Sequence, residues 1–218
     1  LCAVTIDQFM EFQTVSDDGS GTPPDSILGP NFTIVPVNGT RDIFADKTNA
    51  VFGSARVVIF DSALFYSTAT GVLGQFTVDY LNLGSVDFST ADGVTITGTL
   101  DTSAAGSGGS TIGLMLEDTA LNQNFSSVTL TDTSFTHTFD FNEFAGVDLA
   151  QITHIRLGSF DGAGVMVDIP AGGDVTIDSF ETTVVPEPTN LAIVGLTLIA
   201  VLGAIRLVRR HRLVKMSR

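Results

Sequence analysis

The sequence predicts an all-β protein, an antiparallel β-sandwich followed by a single C-terminal transmembrane helix, and three observations lead there. Short runs rich in Val, Ile, Thr and Phe recur between clusters of Gly, Asn, Asp and Ser throughout residues 4–184. Apolar side chains within those runs alternate with a period of two, and helical periodicity is nearly absent. The long apolar stretch lies at the end, over 191–205, and Arg206, Arg209, Arg210 and Arg212 follow it. Residues 4–184 suit one domain in length.

Candidate strands in chain order are 4–9, 31–37, 55–60, 63–67, 73–80, 94–100, 112–117, 127–131, 135–141, 152–159, 165–169 and 175–181. The pairs Asn38-Gly39, Asp92-Gly93 and Asp161-Gly162 offer the positive φ that tight turns need. Alternation says which side of each strand is buried. Phe135, His137, Phe139 and Phe141 share one face and Thr136, Thr138 and Asp140 the other. Ile112, Leu114 and Leu116 repeat the pattern, as do Val175, Ile177 and Ser179 against Thr176, Asp178 and Phe180. Two such sheets face to face bury a core that sixteen Phe are available to fill, at least three in four of them inside. A helical turn fits only 144–151, where Asp148 is a candidate cap. The stretches 17–24 and 104–110 read as exposed loops; the second is Gly/Ser-rich but not a linker, because similar strands continue on both sides.

Six of the ten Lys and Arg lie after Pro186, which leaves four against twenty-three Asp and Glu before it, a charge of about −19 on the larger part. Such a surface repels nucleic-acid phosphates and anionic lipid and excludes both as partners. It attracts cations, or it is a solvated coat that keeps the protein dispersed. With Cys2 as the sole cysteine, no intramolecular disulfide forms.

The tail is membrane-directed. Eighteen residues, 191–208, span roughly 27 Å as a helix at about 1.5 Å per residue, close to the roughly 30 Å of a bilayer core. Arg206 sits where its long side chain can snorkel to the interface, and the basic cluster holds the C-terminus on the cytoplasmic side. Just before the helix stand Pro186, Glu187 and Pro188, whose prolines keep the backbone extended. This order of parts resembles the PEP-CTERM sorting signal of Gram-negative bacteria, a Pro-Glu-Pro motif, one hydrophobic helix and an Arg-rich end. The resemblance covers 185–218: motif 186–188, transmembrane helix about 190–208 and basic cytoplasmic end 209–218. It departs from many such tails in the further residues 213–218. It implies export, transient anchoring in the inner membrane and processing by an exosortase, a membrane protease-transpeptidase thought to remove the tail. A permanent single-span anchor is the alternative.

At the other end Leu1-Cys2-Ala3 reads as the remnant of a signal peptide cleaved after Ala3; acylation of Cys2 is the competing reading. The segments Thr5-Ile6-Asp7-Gln8-Phe9 and Val175-Thr176-Ile177-Asp178-Ser179-Phe180 resemble the first and last strands of jelly-roll, galactose-binding-like modules. Those modules often bind saccharides and hold a structural Ca²⁺. The resemblance implies Asp7 and Asp178 as ligands with Glu11 as a third, since Ca²⁺ takes six to eight oxygens. Solvent-facing strand residues are the plainer reading of both Asp.

No catalytic constellation stands out. A glycine-framed nucleophile, a metal-ligating His pair and a Cys–base pair are all missing. His137 shares a face with Phe, His154 lies near Arg156 on what should be an exposed side, and Asp17-Asp18 and Glu117-Asp118 read as solvated turns. Saccharide faces favour rigid aromatic platforms, and here there is no Trp and only Tyr66 and Tyr80, so Phe would have to stack. The expectation is a non-enzymatic, exosortase-sorted protein of the cell surface or extracellular matrix, structural or adhesive in exopolysaccharide or biofilm. The alternatives are a non-catalytic carbohydrate-binding module with a structural calcium and, third, a secreted hydrolase.

Overall fold

Alternating apolar side chains fold here as two antiparallel sheets that bury their inner faces against each other. The computed structural model describes residues 5–18, 25–34, 37–106 and 108–184. Residues Cys2–Thr183 form one compact unit.

One sheet has the spatial order β11 (Ser134–Asp140), β8 (Ala91–Leu100), β13 (Asp174–Val184), β6 (Ala63–Thr68), β5 (Ala55–Phe60), β2 (Gln13–Asp17), with β1 (Thr5–Asp7) paired to β13. The other runs β10 (Gln123–Leu130), β9 (Ser110–Asp118), β12 (Ile152–Gly158), β7 (Gly74–Leu81), β4 (Val37–Lys47), β3 (Asp25–Ile34). Val57, Ile59, Leu64, Ile96 and Ile177 point inward from the seven-stranded sheet. Ile43, Val78, Leu114, Leu116 and Leu157 meet them from the six-stranded one. Tyr66 and Phe76 stack across the interface with ring centroids 4.8 Å apart. Each fully buried side chain of this size contributes roughly 1.5–3 kcal/mol through the water it sheds.

The expected strands over 55–60, 63–67, 73–80, 94–100, 112–117, 135–141, 152–159 and 175–181 all coincide with strands, shifted by up to three residues at an end. Several expectations need correcting. Asn38-Gly39 and Asp92-Gly93 lie inside β4 and β8 rather than at turns. Asp161-Gly162 is a turn, and Asp161 Oδ1 accepts from the N–H groups of Ala163 and Val165. The segment 165–169 makes only isolated bridges at Met166 and Ile169. The helical turn falls at Phe141–Glu143, capped by Asp140, and a further short helix, α1 (Thr102–Ala105), is capped by Asp101. In β13 burial switches phase between Ile177 and Phe180, so Phe180 is inside and Ser179 is not; β1 shifts register opposite this point. Nine of the fifteen Phe whose side chains are described are buried, fewer than expected, and Phe12, Phe52, Phe60 and Phe65 are exposed. The expected transmembrane helix lies outside the described residues. Among these, no helix is long and apolar enough to cross a membrane.

Candidate functional site

Where the resemblance placed a calcium, the chain sets its own cation. Arg41 points into the core from β4 and is only 1 % exposed. Its Nη1 donates to Asp7 Oδ2 at 2.6 Å, its Nε to Gln13 Oε1 at 3.0 Å and its Nη2 to the Glu11 carbonyl at 2.9 Å. Asp7 also accepts from the Tyr80 hydroxyl at 3.0 Å and from the Phe9 N–H at 2.7 Å. Its carboxylate is thus fully used. Glu11 lends its backbone, and Asp178 is exposed two residues before Phe180, the β1 partner of Asp7. These residues do not fit a shared ion, and no group of three His, Cys, Asp or Glu among the described residues is placed to hold a metal. The network is a buried ion pair whose hydrogen bonds offset its desolvation. It also holds the Tyr80 phenol in place, and burial pushes that phenol well above its usual range.

A second polar cluster lies on the outer face of the six-stranded sheet. Cross-strand register lines up Asp42 on β4, Asp79 on β7, Arg156 on β12, Met115 on β9 and Phe125 on β10 in one row. Side chains opposite one another in such a ladder stand about 4.5–5.5 Å apart at Cβ. Asp79 is the hub: Arg156 Nε donates to its Oδ1 at 2.7 Å, the His154 ring nitrogen Nε2 meets the same oxygen at 2.7 Å, and the Thr77 hydroxyl donates to Oδ2 at 3.1 Å. Although it faces out of the sandwich, Asp79 is only 8 % exposed. Its neighbours shelter it. Arg156 remains 38 % exposed, with its outer guanidinium nitrogens available.

The next row carries Phe44, Thr77, Gly158, Gly113 and Ser127. Gly158 and Gly113 stand side by side and leave room for a ring. The Phe160 ring takes that room, so close that a Cβ at Gly113 would sit 2.3 Å from the ring. Phe125 meets Phe160 edge to face at 5.9 Å. The segment carrying Phe160 is tied down by the Gly74–Ile169 bridge and by Gln75 Nε2 donating to Asp168 Oδ1 at 2.9 Å. It therefore lies over the sheet face beside the polar centre, with Phe160 itself buried.

Charge at this centre is uneven. Burial pushes the Asp79 carboxyl up, but the His154 hydrogen bond and the Arg156 charge together hold it below the ordinary carboxylate range. Asp42 goes the other way: burial raises it first and the charge of Asp79 raises it further. Its Oδ1 is out of solvent and without a hydrogen-bond partner among the described residues. That oxygen is a buried acceptor left without a donor. Both Asp79 oxygens are engaged, Oδ1 by Arg156 and His154 and Oδ2 by Thr77.

The sequence pointed elsewhere. His154 reads there as a surface residue near Arg156; the missed signal is that both lie on the same strand face two residues apart, opposite Asp79. His137 is half-buried edge to face with Phe139 at 4.7 Å, and burial lowers its pKa. Asp118 is not a solvated turn residue: it accepts from the N–H groups of Ala120, Asn122 and Asp148 and pins two loops together. Pro186, Glu187, Pro188, Arg206, Arg209, Arg210 and Arg212 lie outside the described residues.

No protein-family model matches the chain, and no curated protein matches it. Solved structures with some likeness include a family 11 carbohydrate-binding module from Clostridium thermocellum in complex with a β-1,3-1,4-mixed-linked tetrasaccharide. It has 16 % identity and a TM-score of 0.40, and the match covers 80 % of this chain and 96 % of that one. A family 30 carbohydrate-binding module of a cellulosomal cellulase of Clostridium thermocellum has 12 % identity and a TM-score of 0.43, over 86 % and 100 % of the two chains. The agarase AgWH50C has 10 % identity and a TM-score of 0.42, over 65 % of this chain and 22 % of that one. Likeness at this level assigns this chain neither a family nor a ligand.

Proposed function

We propose that residues 4–184 are a non-catalytic saccharide-binding module whose ligand lies across the outer face of the six-stranded sheet. The carrying observation is the sheltered centre of Asp79, His154 and Arg156, fixed by hydrogen bonds, with Asp42 beside it and the half-buried Phe125 and Phe44 on the same sheet face. Convergent polar groups beside apolar surface are what a sugar ring needs, because its hydroxyls lie on the edge and its C–H groups on the faces. The half-buried Asp42 carboxylate accepts a sugar hydroxyl and Arg156 donates to sugar oxygens. The charge of about −19 over this part of the chain selects against polyanionic polymers and for neutral glycans. Locked in two hydrogen-bonded directions, Asp79 orients its partners instead of reacting, which favours binding over hydrolysis. The PEP-CTERM-like tail fits delivery of this module to the cell surface or extracellular matrix by export, inner-membrane anchoring and exosortase processing. An adhesive role in exopolysaccharide follows from binding at that location.

The test is a ¹⁵N NMR titration of the chain with neutral oligosaccharides. Saturable shifts centred on the Arg156 Nε–Hε and His154 ring signals are expected. Absence of binding across the panel, or shifts centred elsewhere, overturns the assignment.

A further inference from the structure

The outer face of the seven-stranded sheet carries a regular ladder of hydroxyls. Register sets Thr99 beside Ser134, Thr97 beside Thr136 and Thr95 beside Thr138. Thr95 and Thr138 share a hydrogen bond at 2.8 Å, and Thr97 and Ser179 share one at 2.6 Å across to β13. Such rows repeat about every 6.7 Å along a strand and about 4.8 Å between strands. Asp178 stands exposed on the same strand as Ser179, with no hydrogen-bond partner among the described residues.

Aromatic surface continues the ladder. Phe65, 39 % exposed, lies opposite Thr176 on one side and Val58 on the other, and Val58 lies opposite Thr14. Beyond Val58, Phe60 and Phe12 are both exposed and meet edge to face at 6.4 Å. Large Phe rings left in water on a sheet face are not explained by packing. Adjacent exposed apolar rings mark a contact surface.

We propose that this face is a second saccharide-contacting surface, suited to the exposed surface of an insoluble neutral polysaccharide. Phe65 and Phe60 stack on sugar C–H faces; Asp178, Thr176 and the Thr97–Thr136 row bond the hydroxyls. A second copy of this chain is the weaker occupant, because bringing together two domains of about −19 each sets like charge against like charge. With one glycan contact on each sheet, the module bridges two polysaccharide chains. That bridging rests on the function proposed above; the second surface does not.

The experiment uses the full-length chain in mild detergent, pelleted with microcrystalline cellulose, chitin and insoluble β-1,3-glucan. Wild type is expected to deplete from solution on at least one. The Phe65→Ala/Asp178→Ala chain should lose at least tenfold in affinity, and so should Thr136→Glu, which alters an exposed residue; near-UV and far-UV circular dichroism confirm that both fold. The His154→Ala/Arg156→Ala chain should still pellet while losing soluble oligosaccharide binding, which separates failure of the first site from failure of the second. Absence of pelleting on all three polymers overturns the proposal. So does pelleting unaffected by the Phe65/Asp178 and Thr136 changes. A concentration-dependent dimer in sedimentation velocity that Phe65→Ala dissolves overturns it in favour of self-association.

Discussion

Replacing Asp7 by Leu removes the carboxylate that Arg41 Nη1 contacts at 2.6 Å, leaving a guanidinium that is 1 % exposed without its counter-charge. Breaking a buried pair from one side costs about 3–5 kcal/mol. Tyr80 and Phe9 N–H lose an acceptor as well, so the upper end of that range is expected. Arg41→Met strands the carboxylate and should cost a similar amount. The double replacement removes both charges and leaves an apolar core end, so it should cost less than either single change. With a urea slope of about 2 kcal/mol/M, a loss of about 4 kcal/mol moves the midpoint by about 2 M. Urea unfolding followed by far-UV circular dichroism measures all four chains, and a coupling of at least about 3 kcal/mol is expected. EDTA should leave the midpoint unchanged, because the guanidinium holds the position a cation would take. Additive single and double costs, or a midpoint that falls with EDTA and returns with Ca²⁺, would refute the reasoning.

Asp42→Asn should raise stability at neutral pH and weaken glycan binding. The folded-state pKa of Asp42 is raised, so its ionisation penalises the fold above that value and the penalty vanishes once pH falls below the unfolded value; the gain should fade on acidification in a melting series. Asp79 has the opposite sign: its contribution is present above the unfolded carboxylate value and is lost as pH falls through the depressed folded one. Asp79→Asn should therefore destabilise at neutral pH, and that loss should shrink in acid. Gly113→Ala drives a methyl into the Phe160 ring and should cost about 1–3 kcal/mol in thermal melts, with the ring displaced. Replacing Glu187 and Pro188 together should leave export intact and block release, read by fractionating the expressing cells; normal release would mean the motif is not recognised.

Period-two alternation made the sandwich legible, because most strands put Val, Ile, Leu and Phe on one side without interruption. It failed where polar groups go inside. β2 was hidden because Gln13 and Asp17 flank Val15 on its buried face, satisfied by Arg41 and by the Lys47 N–H. β4 was missed because Arg41 points inward and Asn38-Gly39 reads as a turn. The outer-face site was illegible for another reason. Asp42, Asp79, His154 and Arg156 come from three strands, and only register brings them together. Asp7 pairs with Arg41 instead of the Ca²⁺ that the resemblance implies, and nothing local in the sequence marks Arg41 as its partner.

The most direct measurement is a glycan array probed with the wild-type chain and with the His154→Ala/Arg156→Ala chain, both shown to be folded. Wild type is expected to bind at least one neutral saccharide, with at least a tenfold loss in the variant. Binding to none, or equal binding by both chains, would contradict the proposed site.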